Sequence, residues 1–211
     1  MYLPPHFAET DETVLRALIR AHPLGLLVSS SDTELLANPV PFLLSERDGA
    51  TLLRAHLSKA NPQWRHIKDG ARVLVAFQGG DTYVTPSWYA GKAEHGKVVP
   101  TWNYAMVQAR GEARVHEGAD WLHPQVSELT DTHEAARPAP WAVSDAPETF
   151  VAAQLRGIVG IEIEVSELTG KWKVSQNRQE ADRRGVEGGL RHEGQEAMAD
   201  MVARHGGLAD T

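Results

Sequence analysis

Between Ile158 and Leu168 the chain alternates: Val159, Ile161, Ile163 and Val165 share one side of an extended strand, while Glu162 and Glu164 share the other. A period of two belongs to strands, so this segment predicts one buried face and one half-solvated or interface face. Further runs at 24–30, 35–44, 51–57, 72–77, 82–85 and 103–115 predict short strands, with turns at Ser29 to Asp32 and at Asp48-Gly49. Pro39 and Pro41 cannot both donate in a central ladder, which puts 35–44 at an edge or a bulge. Gly111 is expected to mark a bulge, and Gly170 to turn the 158–168 strand into a short one ending near Ser175.

Helical spacing appears between these runs. Val14, Leu15, Leu18 and Ile19 predict a helix over 11–21, with Thr10 or Asp11 as its cap. Asn61-Pro62 opens a short helix that Gly70 stops, and Leu122, Val126 and Leu129 predict another over 119–133. Asp145 and Glu148 have capping-box spacing for a helix through Leu155. Beyond Gln176 the chain is polar and helical in part, interrupted by Gly185, Gly188 and Gly189, with Met198, Met201 and Val202 marking a last amphipathic segment. Many short strands with turns favour a mainly β antiparallel barrel decorated by helices over a doubly wound sheet. The expected division is 1–135 for the barrel core and 136–211 for a C-terminal extension, joined near Pro138-Ala139-Pro140.

Composition narrows the chemistry. Zero cysteine removes disulfides, thiol nucleophiles and thiolate metal sites. A formal charge of -7 gives no global attraction to nucleic acid or an anionic membrane. No stretch approaches a membrane span, and the opening Met1 to His6 lacks a signal-peptide pattern, so a cytoplasmic protein is expected. His116, His123 and His133 have no recognised metal spacing, and Ser87 lacks the glycine-flanked elbow of a serine nucleophile.

Three clusters remain. Tyr83 to Tyr89 and Pro100 to Tyr104 hold five of the ten Trp and Tyr residues, beside hydroxyls and an amide that suit a planar ring with a polar edge. Packing of a long loop or a second subunit explains the same pattern. His56, Ser58, Lys59 and Asn61 gather an imidazole, a hydroxyl and a cation at a strand end, a set able to hold phosphate; a solvated lysine is the plainer explanation. Gly170 to Arg178 mixes cations with one tryptophan, suiting an anionic ligand, a dimer contact or a surface turn.

Distributed motifs carry a resemblance to a known family. His56 through Trp64 reads HLSKANPQW, Tyr83 through Tyr89 reads YVTPSWY, Val99 through Tyr104 reads VPTWNY, and Gly170 through Arg178 reads GKWKVSQNR. With Met1-Tyr2, Pro5-His6-Phe7, Lys92, Trp141 and Ile158 to Glu162, they resemble the PaiB family of FMN-binding negative transcriptional regulators, within the split-barrel flavin-binding superfamily. The resemblance implies a split β-barrel homodimer with FMN near the subunit interface. It implies phosphate contacts from His56, Ser58, Lys59 and Asn61. Tyr83, Thr85, Ser87 and Trp88 would lie toward the ribityl chain or ring, with Trp102, Asn103 and Tyr104 from the same or the partner chain. Trp172, Lys173, Gln176 and Arg178 would complete the site or the dimer.

Three functional classes follow: a flavin-binding regulatory or redox-sensing protein, an FMN-dependent oxidoreductase using a nicotinamide donor on a planar substrate, and an interaction protein that has lost the cofactor. Direct DNA binding has weak local support, since no helix-turn-helix with a basic face is evident.

Overall fold

The structure, a computed structural model, describes residues 1–31, 34–67 and 70–208. The Asp32 end of the turn expected after Ser29 lies outside the described residues. The strands are β1 (Ala8–Glu9), β2 (Leu24–Ser30), β3 (Leu35–Pro41), β4 (Leu43–Arg47), β5 (Ala50–Ser58), β6 (Ala71–Val84), β7 (Thr101–His116) and β8 (Ile158–Lys173). The helices are α1 (Glu12–Ala21), α2 (Gln63–His66), α3 (Gly91–Glu94), α4 (Ala119–Glu134), α5 (Glu148–Arg156), α6 (Glu180–His192) and α7 (Glu196–Gly206). The strands run in the open order β3-β2-β6-β7-β8-β5-β4, with β1 paired antiparallel to the end of β8.

The chain divides into two compact units, Met1–Leu18 with Gln78–Val107 and Thr169–Thr211, and Ile19–Phe77 with Gln108–Leu168. In the second, the alternation of β8 buries Val159, Ile161 and Ile163, while β5 pairs with it from Leu52↔Glu164 to Ser58↔Ile158. Phe42 meets Phe77 edge-on at 5.8 Å within this core. In the first, Leu15, Leu18, Val84, Ala105, Trp172, Val186, Leu190 and Val202 are buried.

Several expectations change in the structure. Residues 72–77 and 82–84 belong to one strand, with Thr85 just beyond its end, and 158–168 and the stretch from Gly170 to Lys173 likewise share one strand. Gly170 is a point of close approach, not a turn: a Cβ there would stand 2.1 Å from Leu15 Cδ2 and 3.1 Å from the Glu9 carbonyl oxygen. The 35–44 run breaks into β3 and β4 at Phe42, and β3 is an edge strand, as its prolines require. Glu162 is buried, because Arg47 takes its two carboxylate oxygens at 2.7 and 3.2 Å. Asp145 caps the one-turn helix before α5 by accepting from Ala142 N at 2.9 Å, while α5 starts after Pro147 with no side-chain cap. Gly185, Gly188 and Gly189 lie inside α6 without interrupting it.

Gly111 sits where β7 meets the Glu164 backbone: a Cβ would fall 2.1 Å from the Glu164 carbonyl oxygen, which no side-chain rotation can relieve. Gly111→Ala is therefore expected to cost about 1–3 kcal/mol in chemical denaturation. Gly188→Ala meets open space on a helix and should stabilise by about 0.5–1 kcal/mol. Equal midpoints for the two variants would contradict this account.

Candidate functional site

In the first unit, β7 alternates so that Asn103, Ala105 and Val107 are buried while Trp102, Tyr104 and Met106 face the other way. Trp102 is 54% exposed and Tyr83, from the end of β6, is 47% exposed; their rings meet edge-to-face at 5.9 Å. Trp102, Tyr104 and Met106 join Gln78 and Asp81 around a cavity of about 390 Å³. That volume lies within the range of small-ligand sites.

The end of β8 brings cations to this unit. Period two puts Lys171 and Lys173 on one face and Trp172 on the other. Lys171 is buried; its ammonium donates to the Tyr2 carbonyl at 3.1 Å and lies 5.5 Å from the Tyr104 ring centre. Lys173 Nζ donates to Thr101 Oγ1 at 2.6 Å and to the Trp102 carbonyl. After β8 the chain turns sharply at Ser175, whose φ of 68° lies in the left-handed region. The turn is held by side chains: Ser175 Oγ donates to Asn103 Oδ1 at 3.1 Å, and Gln176 accepts from Val174 N while donating to the Trp172 carbonyl. It delivers Arg178, whose guanidinium stands 4.7 Å from the Tyr89 ring centre.

Lys173 therefore has a lowered pKa, chiefly from burial and then from the charges of Lys171 and Arg178. Tyr89 has a raised one, from burial, against the opposing pull of Arg178. Among the described residues, no carboxylate lies within 4.0 Å of Lys171, Lys173 or Arg178. Asn103 is fully buried with its Nδ2 unpartnered. Three clustered cations, an unused amide donor and a row of aromatic rings fit an anionic, planar ligand rich in acceptors.

Thr85, Ser87 and Trp88 follow Tyr83 in the same unit, committed to local contacts. Thr85 Oγ1 accepts from Ser87 N, Ser87 Oγ accepts from Lys92 Nζ at 3.0 Å, and Trp88 lies on α6. Gly185 and Gly189 make that packing possible, since Cβ atoms there would stand 1.9 Å from the Trp88 carbonyl oxygen and 2.4 Å from its indole. Trp172 faces the core near His205.

His56, Ser58, Lys59 and Asn61 form a separate group in the second unit. Lys59 Nζ stands 3.5 Å from a Glu117 carboxylate oxygen, and Ser58 Oγ accepts from Ala60 N at 3.2 Å. Asn61 Oδ1 accepts from Gln63 N at 2.9 Å, which makes it the cap expected ahead of α2. His56 Nδ1 lies 2.9 Å from Gln125 Oε1, and the ring lines an apolar cavity of about 290 Å³ with Leu129, Trp141 and Phe150.

Sequence reasoning held Lys171, Thr101 and Ser175 within its clusters without singling them out, and passed over the cavity residues Gln78, Asp81 and Met106. Lys171 was legible, because it shares the strand face of Lys173; Gln78 and Met106 carried no motif.

Comparison with known proteins now has a geometry to stand on. A family model described as "Putative FMN-binding domain" matches residues 1–167. The Bacillus subtilis protein named protease synthase and sporulation protein PAI 2 is 30% identical over 186 residues, covering 88% of this chain and 87% of its own. The chain belongs to the PaiB-type FMN-binding family. Emericella nidulans protein AN0679 is 35% identical across 100% of this chain and 99% of its own. Among solved structures, the FAD and heme binding protein of Mycobacterium smegmatis superposes with a TM-score of 0.57 at 20% identity, over 79% of this chain and 73% of that one. That likeness gives the fold alone, a split barrel built on a mainly antiparallel open sheet with helices.

The crowded lysine leads to a measurable sign. The unfolded chain holds the Lys173 proton up to the ordinary value of 10.5, whereas the folded chain releases it earlier. Between those values the unfolded state binds more protons, so ligand-free stability gains a contribution that rises with pH. Denaturation midpoints compared across that window should show the rise in the wild type and its loss in Lys173→Met. Parallel pH profiles would remove the electrostatic account.

Proposed function

We propose that this chain is a flavin-binding homodimer with a regulatory or redox-sensing role, and that the Trp102–Tyr104 cavity, with Lys173 at the neighbouring end of β8 and Arg178 just beyond it, receives the flavin ring. The observation that carries this reading is the cation cluster with no carboxylate within 4.0 Å among the described residues. In ligand-free protein it is a cost, and an anionic, acceptor-rich ligand turns it into affinity. Lys173 and Arg178 supply charge to the electron-rich edge of the ring, and Trp102 with Tyr104 supplies an apolar wall, while Asn103, on the buried side of β7, holds the Ser175 turn. When bound, FMN supplies one- and two-electron transfer. The phosphate role read from the sequence for His56, Ser58, Lys59 and Asn61 stands as a separate proposal for the second unit, with Lys59 released from its exposed pair with Glu117.

A second reading, an FMN-dependent oxidoreductase with a nicotinamide donor, draws support from the exposure of Trp102 and Tyr83 beside the cavity, where a second planar molecule could stack. Direct operator binding draws no comparable support from the acidic composition.

The test is an absorbance and fluorescence spectrum of purified protein, followed by FMN titration of ligand-free material. Saturable binding is expected. Lys173→Met and Lys59→Ala should each weaken it about tenfold or more, as loss of a charge-assisted bond implies. Removing Lys59 breaks only a surface ion pair, so its fold should persist. Folded protein that does not bind FMN would overturn the reading, and unchanged affinity in either variant would remove that residue's role. Bleaching of the bound flavin by NADH or NADPH, with turnover, would favour the oxidoreductase over the sensor.

A further inference from the structure

The second unit holds an apolar cavity to which the flavin ring is not assigned. Val126 and Leu129 of α4, Phe150 and Leu155 of α5, Trp141 between the two helices and the His56 ring of β5 line about 290 Å³. Among the described residues, no Asp, Glu, Lys or Arg lines it. Trp141 is 48% exposed and Phe150 54%, so two large rings on one cavity stand half in water where a guest would cover them. A dry apolar cavity of about 150 Å³ takes benzene, and the larger volume here suits one or two fused rings.

One polar group on its wall is held in a fixed state by a buried partner. Gln125 of α4 is 1% exposed, and its Oε1 lies 2.9 Å from His56 Nδ1. An amide oxygen only accepts, so Nδ1 carries the proton and the neutral ring keeps Nε2 as an acceptor. Among the described residues, Nε2 has no hydrogen-bond partner. Gln125 Nε2 is buried without a partner as well, which is destabilising. A leucine would fill the same place without that cost. What the amide adds is a single tautomer of the one ring nitrogen pair that lines the cavity.

We infer that this cavity is a second ligand site, for a neutral phenolic molecule of one or two rings. The rings pack against Trp141, Phe150 and Leu129, and the hydroxyl donates to His56 Nε2. Uncharged walls favour a neutral guest, since an anion there would lose its water and gain no cation; Lys59 is not among the lining residues. The acceptor selects a hydroxyl over a plain hydrocarbon, because a guest without a donor leaves Nε2 dry and unpaired. A space of this size takes a small molecule and not a folded partner. The inference does not rest on the flavin reading, and shares only His56 with the phosphate proposal.

Titration calorimetry of the full chain with 2-naphthol and with its methyl ether, which keeps the rings and loses the donor, tests this. Saturable binding of 2-naphthol is expected, with the ether about tenfold weaker, the difference one hydrogen bond makes. Val151→Trp, which fills the cavity, and Trp141→Ala, which removes a wall, should each weaken 2-naphthol about tenfold or more. Trp141 is half-exposed, so its variant should fold and decides the matter should Val151→Trp not fold. No saturable binding, equal affinity for the ether, or unchanged affinity in folded Trp141→Ala overturns the inference. Saturating FMN should leave 2-naphthol binding unchanged; competition would make the cavity part of the flavin site and overturn a second one. FMN affinity is read in its own titration, so failure of the flavin reading does not decide this result.

Discussion

The carbonyl oxygen of Glu164 on β8 occupies the place where any side chain at position 111 on β7 would begin. Close backbone approach at this point is a constraint on the long strands of the sheet, and it accounts for a glycine in the middle of a sixteen-residue strand that otherwise gains nothing from one. β6, β7 and β8 each contribute a stretch to both compact units, so the geometry of these strands governs what each unit can present. In one unit their ends carry Trp102, Tyr104, Lys171 and Lys173. In the other, β8 carries the buried Val159–Ile163 row and Glu162, which Arg47 of β4 holds.

That pair shows how a buried charge differs from a crowded one. Glu162 leaves solvent with both oxygens satisfied by one guanidinium, whose own side chain stays largely in water. Lys173 has hydroxyl and carbonyl acceptors but, among the described residues, no carboxylate within 4.0 Å, and the charges of Lys171 and Arg178 add to the burial that lowers its pKa. A fold selected only for stability gains nothing from that second arrangement; a fold that must hold an anion does, because the ligand supplies what the protein withholds.

Much of the architecture was readable from alternation. The period of two in 158–168, the helical stripe of α1 and the prolines of an edge strand all act locally, so sequence order exposes them. The misreadings share a cause. Gly170 looks like a turn, and Gly185 and Gly189 look like interruptions, because a glycine's use for close approach depends on a partner distant in sequence, here Leu15 for Gly170 and Trp88 for α6. Glu162 looks solvated for the same reason: Arg47 is 115 residues away. The aromatic and GKWKVSQNR motifs lie at the end of β6, on β7 and at the end of β8, where the candidate site is drawn. The cavity residues Gln78 and Met106 were silent, since a residue that only lines a wall needs no distinctive chemistry.

The same distinction separates the exposed leucines of β2 from the exposed tryptophan of β7. Leu24, Leu26 and Val28 form an outer row whose cross-strand neighbours Pro41, Pro39, Ala37, Ala76 and Leu74 are apolar, so the row offers area without individual polar bonds. Trp102 stands beside Asp81, Gln78 and cations, where a ring with polar edges is the better match. An apolar face lacking polar anchors selects by area and shape, and therefore suits a large partner. A small, polar-edged cavity selects by individual bonds, and therefore suits a cofactor.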